Sequence, residues 1–221
     1  MFVTPDLFAN DPDTDRRGPR EAIGPQACLL PGFALAAAPQ LWRDIAAIAA
    51  AAPFRHMFTP GGQRMSVATT SCGAWGWVTD RRGYRYAPND PESGQPWPAM
   101  PAAWQQLARE AAAAADFADF TPDACLINRY APGTRMSLHQ DRDERDFGAP
   151  IVSVSLGIAA VFLFGGQQRA DKAQRVPLQH GDVVVWGGAD RLRFHGVLPL
   201  REDLHPLLGP QRVNLTFRRA M

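Results

Sequence analysis

Arg212-Val213-Asn214-Leu215-Thr216-Phe217-Arg218, close to the C-terminus, decides the fold. Successive side chains of an extended chain point to opposite faces. Val213, Leu215 and Phe217 therefore share one face, and Arg212, Asn214, Thr216 and Arg218 share the other. A solvated edge strand whose charges block aggregation has this pattern too. Two arginines on the polar face, however, suit a site that holds a carboxylate, because a guanidinium presents two parallel N–H donors to its two oxygens. Upstream, Ala124–Tyr130 repeats the pattern, with Asn128 and Tyr130 on one side and the turn Ala131-Pro132-Gly133-Thr134 after it. Apolar runs at Ile151–Ile158, Ala160–Phe164, Arg175–Leu178 and Val183–Trp186 complete a strand-rich second half. An α+β, mainly β chain follows, in which antiparallel strands bring distant segments together.

Between these strands lie His139 and Asp141, and more than fifty positions later His195. Positions i and i+2 of an extended segment face the same way, so His139 and Asp141 can reach one ion from a strand end while a distant strand supplies His195. Two imidazoles and one carboxylate occupy one face of a metal and leave the other open, the arrangement of non-haem Fe(II) oxygenases. The triad alone does not exclude the ordinary alternative. In a chain with five histidines a His-x-Asp arises readily by chance, and His195 would serve equally as a half-buried structural histidine.

The first half carries two helical patterns. Ala36–Ala52 places Leu41, Ile45 and Ile48 on one stripe, and Ala102–Phe117 is a second Ala-rich helix. Both are expected to support the sheet. A first strand is expected over Gln26–Phe33, a hairpin-like unit over Met65–Thr70 and Trp75–Tyr86, and a Pro-rich connector over Pro88–Pro101. Residues 1–20 are expected to be a flexible polar tail, and 21–221 read as one domain, with 54–100 as lid and connector and 124–221 as the β core. There is no internal repeat.

Bulk properties bound the function. The formal charge of +1 excludes a broadly basic nucleic-acid-coating surface, so any such affinity must come from a local patch and weaken with salt. Cys28, Cys72 and Cys125 are odd in number and lack Cys-x-x-Cys spacing, which reads as reduced core thiols in the cytoplasm. No apolar signal core and no run of about 20 apolar residues occurs, so neither export nor a membrane span is expected.

The ordered set Asn128–Gly133, His139–Asp143, His180–Gly188, His195-Gly196 and Arg212–Arg218 resembles the AlkB family of alkylation-repair dioxygenases. Upstream, Pro60-Gly61-Gly62, Met65-Ser66-Val67 and Cys72-Gly73 through Trp77 resemble the nucleotide-recognition lid of its bacterial members. The likeness runs from about Cys28 to the C-terminus. It implies a double-stranded β-helix (jelly-roll) core with supporting N-terminal helices and a lid, and Fe(II), 2-oxoglutarate and O₂ as reactants. His139, Asp141 and His195 would bind the iron. Arg212 would pair with the far carboxylate of 2-oxoglutarate, helped by Asn128, Tyr130, Asn214, Thr216 and Arg218.

The implied reaction removes methyl groups from N-alkylated bases such as 1-methyladenine and 3-methylcytosine in DNA, with RNA left open, and releases formaldehyde, succinate and CO₂. Such bases are cationic and pair poorly, so they are extruded at lower cost than sound ones. Trp77 would stack on the base, with His139 as the other wall and Asp143 facing its cationic edge. Tyr84, Arg85, Tyr86 and Arg169 would contact the nucleic-acid strand, and Thr59 and Met65 the lid side. Gln63 follows Gly61-Gly62 at a place where a bacterial member of the family has an aromatic residue. A monomer is expected. Two other functions share these residues: a 2-oxoglutarate-dependent hydroxylase of a protein or small molecule, and a non-catalytic module that binds damaged nucleic acid.

Overall fold

The computed structural model describes residues 17–221. In chain order the elements are β1 (Glu21–Gly24), β2 (Ala27–Leu30), α1 (Ala38–Ala51), β3 (Ala68–Gly73), β4 (Gly76–Asp80), β5 (Gly83–Ala87) and α2 (Ala102–Ala114). They continue with β6 (Ala124–Tyr130), β7 (Met136–His139), β8 (Ile151–Gly157), β9 (Ala160–Phe164), β10 (Gln174–Leu178), β11 (Val183–Trp186), β12 (His195–Val197) and β13 (Arg212–Arg218). Seven strands form one antiparallel sheet in the order β1-β2-β11-β8-β13-β6-β3, and four form a second in the order β10-β9-β12-β7. β4 and β5 pair only with each other.

One face of the large sheet is apolar throughout, and the other is apolar only beside the cavity, where β13, β8 and β6 turn polar side chains inward. Val213, Leu215 and Phe217 of β13, Val152, Val154 and Leu156 of β8, and Val183 and Val185 of β11 pack with Leu41, Ile45 and Ile48 of α1 and Trp104 and Leu107 of α2. The opposite face contributes Leu29, Ile151, Val184 and Trp186, which pack with Phe162, Phe164, Val176, Leu178 and Val197 of the small sheet. Two facing sheets with helices backing the larger one make the β-rich jelly roll that the family resemblance implies. Pro39 in the first turn of α1 presets helical φ where no intrahelical donor is needed.

β13 lies between β8 and β6 and is buried along its whole length, so it is a central strand and not a solvated edge. Its register sets Arg212 opposite Tyr130 and Gly157, and Asn214 opposite Asn128 and Ser155. Gly157 has φ +91, and a Cβ there would lie 2.2 Å from the Gln211 carbonyl oxygen, so only glycine lets β13 enter beside β8 in this register.

Four local expectations change. The first strand is a hairpin, because Glu21–Gly24 pairs with Ala27–Leu30; the added strand is four residues long with only Ile23 buried, too short to show a period. Met65–Thr70 does not join the hairpin-like unit: Ala68–Gly73 pairs with β6 as the edge of the large sheet, leaving β4 and β5 as the hairpin. β7 and β12 are strands too short and too polar to be read from periodicity. Of the expected tail, residues 1–16 lie outside the described residues. Residues 17–20 are tied down: Gly18 donates to the Pro31 carbonyl, and Arg20 pairs with Asp116 at 2.6 Å.

Candidate active site

A cavity of about 730 Å³ opens between the two sheets and the β4–β5 hairpin. β7 and β12 pair so that His139 and His195 are direct cross-strand partners, with ring centroids 4.4 Å apart. Gly196 permits this approach, since a Cβ there would stand 2.6 Å from the Met136 carbonyl oxygen. Asp141 follows β7. Its Oδ1 lies 3.6 Å from His139 Nε2 and its Oδ2 lies 3.7 Å from His195 Nε2. All three ligand atoms fall within 4.8 Å of one another, a spread that one ion can bridge.

The two imidazoles are oriented for a metal. His139 Nδ1 lies 2.9 Å from the Ser137 carbonyl oxygen, and His195 Nδ1 lies 3.0 Å from that of Arg193. A carbonyl only accepts, so each Nδ1 carries the proton and each Nε2 offers a lone pair toward Asp141. Burial, reinforced by His139, lowers the His195 pKa to about 4, which keeps this ring neutral and able to ligate at ordinary pH. Burial alone would raise the Asp141 carboxyl, but Arg218, His195 and His139 outweigh it and hold the group well below the usual carboxylate range.

Arg212 supplies the second half of the site. Its side chain is 2 % exposed, its Nη2 donates to Ser155 Oγ at 3.0 Å, and its guanidinium lies 5.0 Å from the Tyr130 ring centroid. Nε and Nη1 have no partner. Buried N–H groups without acceptors are costly, and burial pulls the arginine pKa down. An anion with two acceptor oxygens would relieve both, as the far carboxylate of a dicarboxylate would. The residues present thus fit both an iron and 2-oxoglutarate.

The rest of the polar row divides the labour. Asn214 donates to Ser153 Oγ at 2.8 Å and to the Val154 carbonyl at 3.0 Å, and its Oδ1 accepts from Thr216 at 2.8 Å and from Asn128 at 3.4 Å. Asn214 and Thr216 therefore brace the wall of the cavity, and Asn128 Oδ1 is left without a partner. Arg218 departs from the expected clamp. Its Nε and Nη2 donate to Asp141 Oδ2 at 3.0 and 2.5 Å, and its Nε approaches Glu144 Oε1 at 3.2 Å. Six residues of extended chain separate Arg212 and Arg218 by roughly 20 Å between Cα atoms, so the two arginines serve opposite ends of the strand.

Of the expected nucleic-acid residues, Thr59, Met65, Trp77, Tyr84, Asp143 and Arg169 line the cavity. Trp77 stacks on Tyr84 at 5.6 Å and donates from Nε1 to Asp143 Oδ2 at 2.8 Å. Gln63, also on the wall, is held by Thr59, whose hydroxyl accepts from the Gln63 backbone N–H at 3.1 Å. Arg169 reaches the Leu138 carbonyl and lies over Phe194. Two residues are placed differently from expectation. Arg85 turns back to Asp80, with contacts of 3.0 and 2.8 Å, and Tyr86 is buried with its hydroxyl donated to Glu144 at 2.7 Å. Neither lines the cavity.

Several residues of the site escape the sequence reading. Ser153 and Ser155 had a signal, since they are the polar alternates of an otherwise apolar strand. Glu144 and Arg191, ion-paired at 3.0 Å and both nearly inaccessible, look in sequence like two more surface charges.

Residues 26–218 match the family model described as the 2OG-Fe(II) oxygenase superfamily. The chain is 55% identical over 215 residues, 97% of each chain, to the alpha-ketoglutarate-dependent dioxygenase AlkB of Escherichia coli strain K12. The same figures hold for the AlkB protein of Salmonella typhimurium strain LT2. Among solved structures, that of OsALKBH1 superposes with a TM-score of 0.80 at 29% identity, covering 91% of this chain and 100% of that one.

Proposed function

Since this chain belongs to the AlkB family of the 2OG-Fe(II) oxygenase superfamily, and is an Fe(II)- and 2-oxoglutarate-dependent dioxygenase, we propose that it demethylates N-alkylated bases such as 1-methyladenine and 3-methylcytosine in DNA. The products are the repaired base, formaldehyde, succinate and CO₂. His139 and His195, through Nε2, and Asp141 would hold the iron, and Arg212 with Tyr130 and Asn128 the far carboxylate of 2-oxoglutarate. Bound together, iron and 2-oxoglutarate supply the O₂-derived oxidant. The chain's own task is to place an N-methyl carbon near it and keep the site dry.

The observation that carries this reading is the Trp77–Asp143 hydrogen bond on the wall beside His139. An indole face next to a carboxylate attracts a flat cation, which is what a base methylated at its pairing nitrogen is. The β4–β5 hairpin with the Thr59–Met65 segment then acts as the lid over a flipped-out or single-stranded base, and Arg169 contacts the strand. RNA carrying the same bases fits the same chemistry. Buried Cys28, Cys72 and Cys125 thiols support a reduced, cytoplasmic setting, and among the described residues no helix is long and apolar enough to cross a membrane. We place the protein there as a monomer.

The test is mass spectrometry of oligonucleotides carrying 3-methylcytosine, incubated with the protein, Fe(II) and 2-oxoglutarate. Loss of one methyl group per site with matching succinate is expected. Succinate release without any demethylation, accompanied by hydroxylation of a peptide or metabolite, would redirect the assignment to that substrate class.

A further inference from the structure

Trp77 and Tyr86 are direct cross-strand partners in the β4–β5 hairpin. This single rung is fastened to two adjacent residues of the loop that follows Asp141. Trp77 Nε1 donates to Asp143 at 2.8 Å, and the Tyr86 hydroxyl donates to Glu144 Oε1 at 2.7 Å. Glu144 is 6 % exposed and holds two guanidinium groups, Arg191 at 3.0 Å and Arg218 at 3.2 Å. Both arginines also grip Asp141. Arg191 Nη1 donates to its backbone carbonyl at 2.7 Å, and Arg218 Nε donates to its carboxylate at 3.0 Å.

Two carboxylates and two guanidinium groups thus form a buried, charge-balanced set, and no fully buried polar side-chain atom of Tyr86, Asp141, Glu144, Arg191 or Arg218 is left without a partner. A fully satisfied network in a low-dielectric interior resists partial rearrangement, because a half-satisfied one is costly. The Tyr86 hydroxyl is its link to the hairpin. We propose that Glu144 is a positioning residue that couples the hairpin to the metal carboxylate, so that capture of a base under the Trp77–Tyr86 rung and occupation of the metal site favour each other. The inference rests on the reading of Asp141 as a metal ligand and of the hairpin as a lid.

The direction follows from shared donors. With Asp141 engaged in the metal site, Arg218 would share less of its carboxylate charge and rest more on Glu144 Oε1. That oxygen, which also accepts from the Tyr86 hydroxyl, would then be held in place under the rung. A base that holds the rung down stabilises the same arrangement, as reciprocity between two sites requires.

The experiment uses the full chain with Co(II), which avoids turnover, and a fluorescein-labelled single-stranded oligonucleotide containing 3-methylcytosine. Fluorescence anisotropy gives the oligonucleotide Kd with and without Co(II) at fixed salt, and the visible absorption of Co(II) gives the reciprocal metal Kd. In the wild type Co(II) should tighten oligonucleotide binding by about five- to ten-fold, with an equal effect of oligonucleotide on Co(II). Tyr86→Phe, which removes one oxygen, should reduce this ratio by at least about three-fold while both ligands still bind. Glu144→Gln, the second variant should the first not fold, should do the same. Equal ratios in the wild type and the variants overturn the coupling. Failure of the wild type to bind Co(II) or the oligonucleotide overturns instead the metal or lid reading beneath it.

Discussion

Replacing Arg212 by methionine should move stability and ligand affinity in opposite directions. The guanidinium is 2 % exposed, with Nη2 on Ser155 at 3.0 Å and Nε and Nη1 unpartnered. In the ligand-free protein it is a buried charge facing no carboxylate, which is a net cost. A methionine of similar reach removes that charge, gives up one neutral-acceptor hydrogen bond and keeps the packing on Tyr130. Ligand-free stability should therefore hold or rise by about 1 kcal/mol. With 2-oxoglutarate the balance reverses. Two charge-assisted hydrogen bonds at about 1.5 kcal/mol or more each are lost, which raises Kd by at least about 100-fold. At a concentration of about 100 Kd the wild type should gain about 2.7 kcal/mol from the ligand, and the variant almost nothing at the same concentration. Anaerobic calorimetry with Mn(II) and 2-oxoglutarate, and urea unfolding with and without ligand, measure both. A Kd within three-fold of wild type would remove Arg212 from the clamp. A ligand-free loss above about 2 kcal/mol would make it a structural residue instead.

Other perturbations probe separate parts of the site. Asp141→Ala should abolish succinate release while leaving a cooperative unfolding transition, because Glu144 still pairs with Arg218; a fully active variant would dismiss the ligand assignment. Gly196→Ala should push β12 from β7 and weaken Co(II) binding by about ten-fold or more, read by visible absorption, since its Cβ would meet the Met136 carbonyl at 2.6 Å. Trp77→Ala should lower kcat/KM for methylated oligonucleotide by about 10- to 100-fold while sparing 2-oxoglutarate turnover without substrate; equal loss of both would make Trp77 structural. Away from the site, Asp90 is buried against Arg55, with Nη1 at 2.8 Å. Burial alone would raise its carboxyl, but Arg55 and the Glu92 backbone N–H hold it below the usual range. A depressed folded pKa stabilises above the unfolded value of about 3.9 and loses that effect as pH falls through the folded one. Asp90→Asn should thus cost about 3 kcal/mol at pH 7 by urea unfolding, and the gap should shrink below about pH 4. A gap independent of pH would mean that the pair contributes through shape alone.

Face parity is legible in the sequence itself. The period of two in Arg212–Arg218 correctly separated the residues that meet the helices from those that face the cavity, and the same rule placed Asn128 with Tyr130. The i, i+2 spacing of His139 and Asp141 gave two groups able to reach one point, with His195 as the third candidate from a distant strand. These properties follow from local geometry, which a covalent chain carries wherever it folds.

What periodicity could not supply is which strand lies beside which, and therefore which charge meets which. Ala68–Gly73 reads locally as part of a hairpin, yet it completes the edge of the large sheet, because β6 offers unpaired backbone donors and acceptors there. Arg212 and Arg218 are equivalent by parity. Only the passage of the loop after β7 past one end of β13 gives Arg218 the Asp141 carboxylate and leaves Arg212 with two buried donors unpartnered. Tyr86 looks like a surface aromatic until the hairpin folds down onto Glu144. Ion pairs and ligand shells act over a few ångströms between residues tens of positions apart, so the alternation of one strand carries no record of them, and the tertiary structure decided them.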